Sequence, residues 1–82
     1  MTKDEVLALV FTELENVAPG CAPGSADPGA SLQDELDIDS MDFLNFIIAL
    51  HERLNVEIPE SDYPKLATLN AIVAYLQKKI GG

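Results

Sequence analysis

One serine stands among aspartates in the run Leu36-Asp37-Ile38-Asp39-Ser40-Met41-Asp42-Phe43. A hydroxyl in that setting could act as a nucleophile, sit beside a bound cation, or serve as a point of covalent attachment. Nucleophilic catalysis needs a base within hydrogen-bond reach. The single histidine, His51, lies eleven positions along the same expected helix, which is ~16 Å. No Gly-x-Ser-x-Gly elbow surrounds the serine either, so no catalytic residue is expected. Calcium fails on spacing. With Asp37 as the first position of a calcium loop, the fifth is Met41, the sixth is Asp42 where a glycine turn is needed, and the last is Ile48 where a bidentate Glu is needed. No metal site is expected. Attachment survives, because a serine opening a helix is exposed. A phosphate on it would meet free N–H groups and the positive end of the helix dipole. On the serine alone, a plain capping serine outweighs that reading.

The elements that position Ser40 follow from periodicity and caps. Thr2 with Glu5 forms a capping box for a first helix from about Lys3 to Val17. Val6, Leu7, Val10, Leu14 and Val17 form its apolar stripe, with Phe11 at the edge and Glu13, Glu15 and Asn16 placed off it. Ala18 to Ala30 is rich in Pro, Gly, Ala and Ser and reads as a long loop, with Leu32 and Leu36 fastening its end. The second helix starts at Ser40 or Met41, with Asp39 as N-cap and Asp42 in the first turn, and runs to about Leu54. A short helical turn is expected over Glu60 to Leu66 despite Pro64. The last helix follows Thr68, buries Leu69, Ile72, Val73, Leu76 and Ile80 on one face, and stops at Gly81. Nothing alternates with period two. The expected fold is all-α: a small bundle of three longer helices and one short one, with a long loop between the first two. Residues 1–82 form a single domain.

The second helix is apolar on two sides. At 100° per residue, Phe43, Phe46, Ile47, Leu50 and Leu54 share one face. Met41, Leu44 and Ile48 share another, bordered by Asn45, His51 and Glu52. Either the short third helix covers that second face, or it is presented to a partner.

Composition narrows the partners. The net charge is −9 and unevenly spread. Residues 31–62 hold nine acids against Arg53, a balance of −8, whereas residues 63–82 hold three lysines and no acid. Such acidity repels phosphate backbones, so no nucleic acid is expected, and basic partner proteins fit better. The one cysteine, Cys21, cannot close an internal disulfide and reads as a loop thiol. No signal peptide fits the start, and no apolar run approaches the ~20 residues of a membrane span. A cytoplasmic monomer is expected.

Asp39-Ser40-Met41 at the head of this helix, the long loop before it, Asn55-Val56-Glu57-Ile58-Pro59 after it, and Thr68-Leu69 opening the last helix together resemble the acyl carrier proteins. The likeness covers nearly the whole chain. It implies that Ser40 is esterified with 4′-phosphopantetheine, transferred from coenzyme A by a phosphopantetheinyl transferase, with Asp39 beside it. The thiol of that arm would carry acyl groups as thioesters for fatty acid, lipid or polyketide biosynthesis, the carrier doing no chemistry itself. Acyl-loading, acyl-transferring and chain-modifying enzymes would read Met41, Asp42, Leu44, Asn45, Ile48, His51 and Glu52. Three features depart from the family pattern. Asp37 stands where glycine is common. Asn45, His51 and Arg53 replace acids frequent on this helix in fatty-acid-synthesis carriers, which favours a specialised carrier with dedicated partners. Tyr63-Pro64 is unusual in the third helix and bears on the acyl pocket. The competing readings are a helical interaction module that never receives the arm, and an aminoacyl or peptidyl carrier.

Overall fold

A computed structural model describes residues 2–81. The first helix, α1, spans Lys3–Val17, and its capping box is complete: the Thr2 hydroxyl accepts from the Glu5 N–H, and the Glu5 carboxylate accepts from the Thr2 N–H. That carboxylate is held below its ordinary pKa, chiefly by the Thr2 backbone bond. The short α2 spans Leu32–Leu36, α3 spans Ser40–Leu54 and α4 spans Leu69–Gly81. Two 3-10 segments complete the chain, Pro23–Ser25 and Glu60–Leu66. The architecture is the expected helical bundle of three longer helices.

The linker is more ordered than its composition implied. Pro23–Ser25 forms a 3-10 turn inside the stretch read as loop, too short for any periodicity to announce. The rest is fastened by bonds that only the tertiary fold makes. Glu35 accepts the Asp27 N–H at 2.8 Å, and Asp27 in turn accepts the Gly29 N–H at 2.9 Å. At the far side, the Leu32 N–H donates to the Ala67 carbonyl at 2.8 Å and the Asn70 N–H to that of Pro28 at 3.1 Å. The linker is thereby tied to the start of α4.

The core is made of Val6, Val10 and Leu14 of α1, Leu32 and Ile38, Phe46, Ile47 and Leu50 of α3, Leu66, and Leu69, Ile72, Val73 and Leu76 of α4. Phe43 and Leu54 pack at its edge as half-buried side chains. Glu13 corrects the sequence reading. It is 5% exposed, because at 100° per residue it falls within about 20° of Val6, on the stripe and not beside it. Arg53 of α3 reaches over it, Nε to Oε1 3.5 Å, while remaining largely solvated itself. A buried carboxylate that loses its cation keeps its desolvation cost. Arg53→Ala should therefore destabilise the fold by about 1–3 kcal/mol, although Arg53 lies on the surface. Chemical denaturation decides it: a change within noise would mean that water already solvates Glu13.

The 3-10 helix Glu60–Leu66 is held to α4 by one polar contact. The Tyr75 hydroxyl donates to Asp62 Oδ2 at 2.7 Å. Partial burial and then the Asp62 carboxylate push the Tyr75 pKa from 10.0 up to about 12. The folded state thus retains a proton that the unfolded chain has released between those values, and stability falls as pH rises through the window. The stability difference between wild type and Tyr75→Phe should shrink from pH 10 to pH 12, read from denaturant melts across that range. A constant difference would remove the proton from the account. At the acid end Asp62 is held below its ordinary value by the same hydroxyl first and by Lys65. Its contribution is present above that ordinary value and is lost as pH falls through the lowered one.

Candidate functional site

Ser40 is the first residue of α3, and the cap is made by its neighbour: Asp39 Oδ1 accepts the Asp42 N–H at 2.8 Å. The hydroxyl is therefore released from capping duty, and Ser40 and Asp39 are both exposed. What holds them at the surface lies just upstream. Asp37 closes α2 in the left-handed conformation, φ 53°, and turns the chain so that Ile38, 5% exposed, enters the core. The Ile38 N–H secures the turn on the Gln33 carbonyl at 2.9 Å. Left-handed backbone strongly favours glycine, with Asn and Asp the tolerated alternatives. Asp37 thus makes the left-handed turn without a glycine. Sequence reasoning missed the Ile38 anchor, whose signal was an isoleucine isolated between two aspartates.

The exposed start of a 15-residue helix suits a phosphodiester. Asp39 takes the Asp42 N–H, leaving the Ser40 and Met41 N–H groups at the open end of the dipole. Among the described residues no group of three or more His, Cys, Asp and Glu side chains is placed to hold a metal ion. Ser40 and His51 sit at opposite ends of α3.

The second apolar face is on the surface. Met41 is 67% and Ile48 41% exposed; Leu44 is half-buried and, like them, stands outside the set of side chains packed on the core. Asn45, His51 and Glu52 are exposed beside them, and Asp42 is half-buried. His51 does more than border the face. Its Nδ1–H donates to the Val56 carbonyl at 2.6 Å, locking the turn in which Asn55 adopts φ 53°. The 3-10 helix Glu60–Leu66 and the segment before it cover only one edge of the stripe: Ile48 meets Ile47, His51, Glu57, Ile58 and Tyr63 around a cleft of about 120 Å³. Tyr63 therefore stands in the wall of that cleft. A larger groove of about 600 Å³ runs between α1, the linker and α4, and α3 contributes nothing to it. Cys21 is half-buried, and burial with nearby Glu15 pushes its thiol pKa up, which disfavours the reactive thiolate.

The family described as "Phosphopantetheine attachment site" matches residues 9–76. The chain belongs to the acyl carrier protein family. It is 34% identical over 77 residues to the meromycolate extension acyl carrier protein of Mycolicibacterium smegmatis, covering 94% of this chain and 77% of that one. It is 37% identical over 60 residues to the acyl carrier protein of Bdellovibrio bacteriovorus, covering 73% and 77%. A solution structure of a protein from Anaplasma phagocytophilum, described as an acyl carrier protein, superposes with a TM-score of 0.83 at 27% identity, over 96% of this chain and 92% of that one. The chain is accordingly a carrier and not an enzyme, its cofactor is 4′-phosphopantetheine, and it works with biosynthetic enzymes. No helix among the described residues is long and apolar enough to cross a membrane.

Proposed function

We propose that Ser40 is the residue that carries the 4′-phosphopantetheine arm, and that residues 1–82 act as one carrier domain, a cytoplasmic monomer. The observation that carries this reading is the division of labour at the head of α3: Asp39 caps the helix, so the exposed serine beside it is free to be esterified. The arm supplies a terminal thiol on which acyl groups ride as thioesters. The protein's own residues present and recognise. Ile38 and the Asp37 turn hold the attachment point outward, and the first N–H groups of α3 stabilise the phosphodiester charge. Met41, Leu44 and Ile48 form the apolar strip that the phosphopantetheinyl transferase and the acyl-loading, acyl-transferring and chain-modifying enzymes read, with Asp42, Asn45, His51 and Glu52 at its rim. The cleft walled by Ile48, Ile58 and Tyr63 is where the start of an acyl chain would shelter.

Because Asn45 and His51 at the rim of this face carry no negative charge, and Arg53 farther round the helix faces Glu13, its recognition is weighted towards apolar contact, which fits dedicated partners in fatty acid or lipid biosynthesis. Incubation with coenzyme A and a broad-specificity phosphopantetheinyl transferase should add one phosphopantetheine, and peptide mapping by mass spectrometry should place it on Ser40. Modification elsewhere, or none with several transferases, would overturn the assignment.

A further inference from the structure

A carrier of net charge −9 has five lysines and arginines in all, and three of them surround one cleft. Lys65, Lys78 and Lys79, together with Asp62 and Tyr75, line a space of about 520 Å³ between the 3-10 helix Glu60–Leu66 and the last turns of α4. All three lysines are exposed. The cleft's single acid is already engaged: Asp62 Oδ2 accepts from Tyr75 at 2.7 Å and Oδ1 meets Lys65 Nζ at 3.3 Å. The Tyr75 ring carries Lys79, whose Nζ lies 5.4 Å from its centre. Asp62 and Tyr75 thus hold two ammonium groups at the rim, Lys78 adds a third, and the balance of the cleft is positive.

We propose that this cleft is a docking point for a short acidic peptide segment of a partner protein, separate from the strip on α3. Charge selects the occupant. An extended anionic surface, such as a membrane or a nucleic acid, would reach past the cleft to neighbouring acids such as the exposed Glu60 of the same 3-10 helix and be repelled. A segment of a few acidic residues seated in the cleft meets only Asp62, which already accepts from Tyr75 and faces Lys65. An apolar contact at the α3 strip and a charged one at this cleft fix an approaching enzyme's orientation more tightly than one contact alone.

The probe is a capped peptide of about six glutamates, at most ~20 Å long, titrated into ¹⁵N-labelled protein at low salt. Saturable amide shifts should be confined to residues 62–65 and 75–79, weaken as salt rises, and persist in Ser40→Ala. Affinity should fall about fivefold in Lys78→Gln/Lys79→Gln, with Lys65→Gln/Lys78→Gln as a second pair should the first lose its fold. Shifts spread over the whole surface, or affinity unchanged in the folded pair variants, would overturn the proposal. So would lysine-dependent binding to phosphatidylserine vesicles that displaces the peptide, which would reassign the cleft to a lipid surface.

Discussion

Ser40→Ala should abolish phosphopantetheine addition completely while leaving stability unchanged within about 0.5 kcal/mol. Both halves come from the head of α3. The residue is exposed, and an alanine at the first helical position removes the only oxygen available for esterification there without removing the cap. The complementary variant is Asp39→Ala. It deletes the 2.8 Å acceptor for the Asp42 N–H and should cost about 1 kcal/mol of stability, with the hydroxyl still in place. Intact mass after incubation with coenzyme A and a transferase reads the first effect, and denaturant melts read the second. Should Ser40→Ala unfold the protein, the serine is structural and the division of labour between the two residues is wrong. Should Ser40→Ala still gain the mass, the attachment lies elsewhere.

The boundaries of α1 and α3 were legible in the sequence because their stop and start signals are local. Thr2 with Glu5, and Asp39 three residues before Asp42, satisfy helix N–H groups within one turn, so no knowledge of the rest of the chain is needed. The Tyr63-Pro64 segment was legible for a similar reason, since proline limits what can follow. The linker was not. What orders it are the Glu35–Asp27 bond and the ties from Leu32 to Ala67 and from Asn70 to Pro28, and pairings between distant residues leave no period in the chain. Glu13 was a different failure. Its spacing from Val6 and Val10 already placed it on the buried side, and its charge obscured that geometry until Arg53 was seen to cover it.

The site divides in the same way. Ser40 and its cap are one contiguous run of sequence. The strip from Met41 to Ile48 is one face of one helix, so both could be read in order along the chain. Whether that strip was covered could not be read, because the answer depends on where Glu60–Leu66 packs. It packs along one edge, leaving most of Met41 and part of Ile48 to solvent. His51 is exposed beside the strip, but its bond to the Val56 carbonyl could not be read, because it depends on the left-handed turn at Asn55. The three lysines were visible only as a charge total, and the fold gathers them around one cleft.

Two leucines on α3 provide the sharpest test of its two faces. Leu50 is 1% exposed and lies in the core with Phe46 and Ile47. Leu44 is six positions and ~240° away around the helix, half-buried, and outside the core cluster. Leu50→Ala should cost about 2–5 kcal/mol, the loss of buried surface compounded by the cavity left behind. In a domain of this size that approaches the whole net stability, which is often only ~3–5 kcal/mol. Leu44→Asp introduces a charge where water can still solvate it and should cost under about 1 kcal/mol. Yet it interrupts the apolar strip between Met41 and Ile48, so loading and acyl transfer by partner enzymes should fall sharply in a protein that melts almost normally. Denaturant melts of both variants beside a loading assay separate the outcomes. If Leu44→Asp unfolds the protein as badly as Leu50→Ala, the strip belongs to the core. If it neither unfolds the protein nor slows loading, partners read another surface.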